Sequence, residues 1–241
     1  MVATVSNSPR GFQGAVLKLM RASDFVLTVT GRTEVSEHYL RLGFDAGGLF
    51  QAHDPHPTMW LRLWFPAEKP HQRAYTLVNP NVDDGTFDLE FALHDGFAAD
   101  WAQSAQVGDT ISATLLGSKY DLPETRPDGY VVVGDLASLP AVNSLLSSIG
   151  DAPATVFLEW THESDRELPV STTSTTTVTW VERKGEGAAL VEAVTSAAFD
   201  APGHHAWVAC DTKTTRAVSA VLKSNYGIVK KAIKAQGYWI P

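Results

Sequence analysis

The feature that most constrains this chain is a change of pattern at "YDLPETRPDGY", Tyr120 to Tyr130. Before it, apolar and polar residues alternate in short runs broken by turn residues. After it, continuous apolar runs alternate with segments of helical spacing. Alternation with period two suits strands buried on one face, and continuous runs suit strands buried on both. The succession predicts two domains, residues 1–122 and residues 123–241, joined by a segment that Pro123, Pro127 and Gly129 make unsuited to either element.

The first domain reads as all β. "FVLTVTGRTEVSEHYLRLGF" and "MWLRLWFP" are rich in β-branched and aromatic residues. "NPNVDDGTFDLEFALHD" sets an Asp-Gly turn before a strand from Phe87 to Leu93, and "VGDTISATLL" supplies another after Gly108-Asp109. Short strands with frequent turns point to a closed barrel or a sandwich. In "RAYTLV", Arg73, Tyr75 and Leu77 share one face of a strand, and Ala74 and Thr76 the other.

The second domain opens with "YVVVGD", the pattern of a buried parallel strand. "SLPAVNSLLSSIG" follows, with Leu139, Val142, Leu145, Leu146 and Ile149 at helical spacing, Pro140 near its start and Gly150 at its end. Strand "ATVFLEW", a Thr-rich stretch into "VTWVER", helix "AALVEAVTSAAF", strand "HHAWVAC" and helix "TKTTRAVSAVLKSNYG" complete an α/β alternation.

Composition removes several function classes. A net charge of -8 argues against broad nucleic-acid binding, which needs many cation–phosphate contacts. The single cysteine, Cys210, allows no intramolecular disulfide and no cluster held by several cysteines of this chain. It reads as a small buried hydrophobe rather than a reactive thiol. "MVATVSNSPR" lacks a signal-peptide pattern, and no apolar run approaches a membrane span, so a cytoplasmic monomer is expected.

His53 and His56 in "HDPHP", and the adjacent His204 and His205, lack the further ligands that a metal site requires. Asn79, Asn81, Asp83 and Glu90 approach calcium-loop spacing, but Asp84 stands where that loop needs glycine, so a hairpin turn is the better reading. No Gly-x-Ser-x-Gly elbow occurs. Arg216, Lys223, Lys230, Lys231 and Lys234 form a basic run in an otherwise acidic protein.

Four segments in order carry a family resemblance: "RAYT" (Arg73–Thr76), "HDGFAADWA" (His94–Ala102), "GDLASLPA" (Gly134–Ala141), and "WVACD" with the closing "GYW". Together they resemble the siderophore-interacting proteins, the FAD-dependent ferric-siderophore reductases related to ferredoxin reductases. The resemblance implies an N-terminal antiparallel six-stranded FAD-binding β-barrel, residues 1–122. It implies a smaller α/β domain with a parallel sheet, residues 123–241, of the ferredoxin-NADP reductase type, NAD(P)H-binding-like and facing the siderophore.

It assigns Arg73 to the FAD diphosphate, and Tyr75 and Thr76 to the isoalloxazine, Thr76 through its backbone because its side chain points to the other face. His94, Gly96, Phe97, Ala98 and Ala99 would wrap the diphosphate, with Trp101 packing beneath. Phe97 stands where the family has proline. Asp135, Leu136, Arg216 and Lys223 would face the substrate or donor, with Leu136 in place of the family's acid.

The implied activity is release of iron(II) from an iron(III)–siderophore by non-covalent FAD. NADH, NADPH or reduced ferredoxin would supply the electrons. No protein metal site, no catalytic side chain and no membrane insertion are implied, because the flavin performs the redox step. A non-catalytic siderophore or flavin carrier and a general flavin reductase are the competing readings.

Overall fold

Alternating residues in the first half build seven strand segments: β1 (Ser23–Ser36), β2 (Tyr39–Asp45), β3 (Trp60–Phe65), β4 (His71–Thr76), β5 (Val78–Asn81), β6 (Thr86–Ala92) and β7 (Thr110–Leu115). They form one antiparallel sheet in the order β4-β3-β7-β1-β2-β6-β5. The two edge segments, β4 and β5, are consecutive in the chain and separated by Leu77 alone. Neighbouring Cα atoms lie about 3.8 Å apart, so the sheet must curl until its edges meet. Counted as one strand bent at Leu77, β4 and β5 reduce the seven segments to the six strands expected of the barrel. The ring of Tyr75 on β4 lies 4.4 Å from that of Phe91 on β6, which spans the seam.

The inward face of this unit holds Leu27, Leu42, Phe44, Leu61, Leu63, Phe87 and Leu89, all buried. Among the described residues, α1 (Leu49–Ala52) and α2 (Phe97–Ser104) complete it. Ala98 and Ala102 of α2 join the same core.

The continuous apolar runs of the second half become β8 (Tyr130–Gly134), β9 (Ala154–Trp160), β10 (Thr176–Glu182) and β11 (His205–Ala209), with a short edge strand β12 (Ile233–Ala235). All are parallel, in the order β10-β9-β8-β11-β12. Helices α3 (Leu139–Ile149), α4 (Ala188–Ser196) and α5 (Thr212–Ser224) connect them. Val131 and Val133 share a core with Leu190 and Val194 of α4 and Val218 and Leu222 of α5. The helix of "SLPAVNSLLSSIG" begins and ends where Pro140 and Gly150 mark it. β12 carries no strand signal in the sequence. Its three residues gain their conformation by pairing with Ala206–Val208.

The structure, a computed structural model, describes residues 23–66 and 71–241. The leaderless reading of "MVATVSNSPR" lies outside the described residues. The chain divides into two compact units, Met1–Asp121 and Leu122–Pro241. No helix among the described residues is long and apolar enough to cross a membrane.

Two glycines give a matched test of the first unit. Gly47 and Gly85 both adopt left-handed backbone, at φ 55° and 66°. A Cβ on Gly47 would lie 2.1 Å from the Val26 carbonyl oxygen, whereas one on Gly85 meets nothing within 4 Å. Gly85→Ala should therefore cost about 1–2 kcal/mol, the left-handed penalty alone. Gly47→Ala should cost roughly 2 kcal/mol beyond that, because backbone must move. Urea unfolding of the two variants checks this; equal losses would show that β1 yields freely.

Candidate functional site

The strand that opened the family resemblance places its residues by register. His71, Arg73 and Tyr75 of β4 stand opposite Phe65, Leu63 and Leu61 of β3, so all three share the face of the barrel core. Tyr75 packs edge-on against Phe65 (6.1 Å) and tilted against Phe91 (4.4 Å). Burial drives its phenol pKa well above the ordinary value, only partly offset by the charge of Arg73. His71 is pushed the other way, first by burial and then by Arg73. The Arg73 guanidinium is exposed, and its Nη1 donates to the Gln72 carbonyl (2.9 Å). It forms no ion pair with a carboxylate among the described residues. Thr76 is buried on the opposite face, in register with Trp60.

The N-terminus of α2 reaches the same strand. The Phe97 ring lies 5.1 Å from the His71 ring. Gly96 is the N-cap at φ 143°, with no side-chain cap, and the first turn closes through Asp100 N–H to the Gly96 carbonyl (3.0 Å). The N–H groups of Phe97, Ala98 and Ala99 thus lack the partners that a helix interior provides. A Cβ at Gly96 would find only the His94 ring, at 3.9 Å, so the approach to these donors is open. His94 is exposed, its Nδ1 2.9 Å from the Asp95 carbonyl oxygen. Trp101 sits under the helix against Phe65 (5.7 Å) and Phe91 (6.4 Å). A guanidinium unpaired with any carboxylate among the described residues, a tyrosine ring and three N–H groups without a side-chain cap make a set that suits a flavin dinucleotide, with its flat ring and two phosphates.

The second unit gathers a different set at the carboxyl ends of its strands. Gly134, Leu158 and Ala209 pair in register, which brings Asp135, Glu159 and Cys210 to one level. Asp135 is buried, with Oδ1 accepting from Ser138 N–H (3.0 Å) and Oδ2 from Trp239 Nε1 (2.8 Å). Glu159 is buried and pairs through Oε2 with Arg183, while its Oε1 has no hydrogen-bond partner among the described residues. Arg183 also approaches Asp211 (3.8 Å) and lies against the Trp239 ring (5.0 Å).

Burial raises the pKa of Asp135 against its hydrogen bonds and Arg183. It raises that of Glu159 too, against the attraction of Arg183 and aided by the other two acids. For Asp211, burial is outweighed by hydrogen bonds from Thr214 and Lys213 and by Arg183, and its pKa falls. Burial first, then the three carboxylates, lifts the Cys210 thiol well above its usual range.

Asp135, expected to face the substrate or donor, is therefore engaged inside the unit, and Leu136 beside it is half-buried. Arg216 and Lys223 are exposed on α5. His53 and His56 are tied into their loop through Ser23, Pro57 and Ser118. Asn81 and Asp84 bond each other across the hairpin turn. Sequence reading missed Glu159, Arg183, Trp239 and His71. The signal for the first two was charged residues closing the strands "ATVFLEW" and "VTWVER", where a buried sheet leaves no ordinary place for charge.

Comparison with known proteins bears on the family and the fold. Residues 127–241 match the model of the siderophore-interacting protein family, and residues 32–117 that of the siderophore-interacting FAD-binding domain. The chain belongs to the siderophore-interacting protein family. It is 33% identical over 239 residues to the mycobactin import ATP-binding/permease protein IrtA of Mycobacterium tuberculosis, covering 95% of this chain and 28% of that protein. The chain thus spans little more than a quarter of that relative. It is 28% identical to the ferric vibriobactin reductase ViuB of Vibrio cholerae, over 73% of this chain and 67% of ViuB. Its fold matches the siderophore-interacting protein SipS of Aeromonas hydrophila with TM-score 0.78 at 21% identity, covering 90% and 91% of the two chains.

The cluster at the strand ends yields two tests. A carboxyl whose pKa is raised on folding stabilises the fold below its unfolded pKa and loses that contribution as pH rises through the folded value. Glu159→Gln removes one such titration. The Tm of the variant relative to the wild type should therefore rise as pH climbs above the unfolded carboxyl value of about 4.5; calorimetry that shows a pH-independent difference would place the retained proton elsewhere. Cys210, buried and held as thiol, should react with Ellman's reagent only on unfolding.

Proposed function

We infer that the antiparallel unit holds FAD and that the protein reduces an iron(III)–siderophore to release iron(II). The observation that carries this reading is the convergence on one face of β4 of Arg73, Tyr75 and, through the His71–Phe97 contact, the uncapped N-terminus of α2. Arg73 offers a planar fork of donors to phosphate oxygens. Phe97, Ala98 and Ala99 offer backbone N–H groups and the positive end of a helix dipole to the same diphosphate. Tyr75, fixed between Phe65 and Phe91, presents an aromatic ring to the isoalloxazine. Thr76 contributes backbone, since its side chain is buried on the other face.

When bound, FAD supplies two-electron uptake and one-electron delivery. The protein's part is to orient the ring and to neutralise the diphosphate. Iron enters as substrate: each iron(III) gains one electron, and the siderophore, which grips iron(II) far less tightly, lets it go. This chemistry asks for no nucleophile and no general acid–base pair, and a nicotinamide or a reduced ferredoxin would provide the electrons. The family's FAD-binding domain match and the vibriobactin reductase relative support the reading.

Arg73→Ala and Tyr75→Ala should each weaken FAD binding at least about tenfold, a loss of about 1.4 kcal/mol. Fluorescence titration with FAD measures it. Unchanged affinity in both variants would remove the site from β4. Ferrozine-trapped iron(II) that appears only with FAD and a reductant would establish the reductase over a carrier.

A further inference from the structure

One large apolar ring of the first unit stays outside its core. Phe97, the first residue of α2, is 55% exposed, although the same helix buries Ala98, Ala99 and Ala102. Among the described residues the ring has one aromatic neighbour, His71, at 5.1 Å and an interplanar angle of 56°. His71 in turn packs edge-on against Phe65 (6.5 Å), which is buried in the core. Phe199, the other exposed phenylalanine among the described residues, is covered differently, edge-on by both His204 (5.3 Å) and Tyr226 (5.2 Å). The Phe97 ring is thus braced on one side and open on the other. A flat group laid on the open side would remove apolar area that α2 leaves in water.

The place of that ring along β4 narrows what the flat group is. Residues on one face of a strand stand about 6.6 Å apart, two rises of about 3.3 Å. On β4 the order is His71, Arg73, Tyr75: the imidazole that braces Phe97, then the exposed guanidinium, then the ring wedged between Phe65 and Phe91. A dinucleotide has the same order of parts, a base, a diphosphate and a second flat ring. With the diphosphate at Arg73 and the N-terminus of α2, its two ends fall on either side of the guanidinium. The N–H of Phe97 is itself one of the donors at that helix end. A base stacked on the Phe97 ring therefore belongs to the molecule whose phosphate the same residue holds.

We propose that the Phe97 ring, braced by His71, is the stacking platform for the adenine of FAD, and that this pair makes the unit select FAD over FMN. The proposal rests on the FAD reading of the same face and adds the residues that tell one flavin from the other. It belongs to this chain in particular: the proline that the family carries at position 97 is a saturated ring without a π face. Stacking of a base on an aromatic ring needs no charge and no hydrogen bond, so its contribution goes with the adenine alone. FMN has the isoalloxazine and one phosphate and lacks the adenine. It would use Tyr75, Arg73 and the N–H groups of α2, all of which a substitution of the Phe97 side chain leaves in place. His71 is a positioning residue here, holding the Phe97 ring against rotation toward solvent.

The test titrates FAD, FMN and ADP by calorimetry into flavin-free wild type and into the variants F97A, F97W, H71A and H71F. F97A should weaken FAD and ADP at least about fivefold and leave FMN within about twofold, at wild-type Tm. F97W should restore FAD affinity. H71A should move FAD in the same direction by a smaller factor, and H71F should restore it. Equal losses of FAD and FMN in F97A overturn the proposal, because they put the isoalloxazine or the helix end, and not the adenine, at the ring. Unchanged FAD affinity in F97A overturns it as well. So does saturable binding of 2,3-dihydroxybenzoate that F97A abolishes while FAD affinity is kept, which would make the ring a platform for a catechol. Wild type that binds neither flavin overturns the FAD reading and the proposal with it. Wild type that binds both, with no loss confined to the adenine-bearing ligands in F97A, overturns the proposal alone.

Discussion

The single residue between β4 and β5 governs the first unit. Leu77 joins the two opposite edges of a seven-segment sheet, so the sheet has no choice but to close. Closure turns the edge strand β4 into a wall that meets β6, and it brings the Tyr75 ring to the Phe91 ring. It also sets Arg73 on the core-side face, near the rim where α2 begins. Had β4 and β5 been joined by a long loop, the guanidinium, the tyrosine and the helix end would have no reason to meet. The hairpin of β5 and β6, with Gly85 in its turn, completes the closure from the other side.

The second unit depends on a compromise of another kind. Its three central strands, β8, β9 and β11, are buried, and so are Asp135, Glu159 and Asp211 at their carboxyl ends. Three acids occupy that level, with Arg183 and Trp239 to satisfy them. One arginine cannot neutralise three carboxylates, and Glu159 Oε1 is left without a hydrogen-bond partner among the described residues. Burial raises the pKa of Asp135 and of Glu159, against the hydrogen bonds and Arg183 that favour their charged forms. The polar residues of this cluster do not add simple stability, since a buried ion network gains little over an apolar one.

Much of this architecture is legible in the sequence. The switch from alternation to continuous apolar runs marks the change from a sheet with one wet face to a sheet covered on both, and α3 begins and ends at its proline and glycine. Arg73, Tyr75 and Trp101 stand in the short motifs that carry the family resemblance, and strand period alone puts Arg73 and Tyr75 on one face. Other features were invisible for physical reasons. β12 has no intrinsic strand signal and exists through its pairing with β11. His71 enters the site only because barrel closure and α2 put Phe97 against it. Asp135 reads as an acid facing substrate or donor, yet Trp239, 104 positions away, bonds it inside the unit. No local pattern can announce a contact between residues so far apart in the chain.

That distance has a consequence for how the second unit comes into being. The Asp135 carboxylate leaves water only when the indole of Trp239 arrives, and the segment that carries it is held by Tyr238 N–H to the Cys210 carbonyl (2.8 Å) and by Thr212 N–H to the Trp239 carbonyl (3.0 Å). During synthesis on the ribosome, the first strands of the parallel sheet must therefore wait, with a wet and fully charged rim, for a piece of polypeptide made about a hundred codons later. Long-range closure of this type is slow by nature. The nascent unit is thus exposed to chaperones and proteases until its final strand and the tryptophan behind it have emerged.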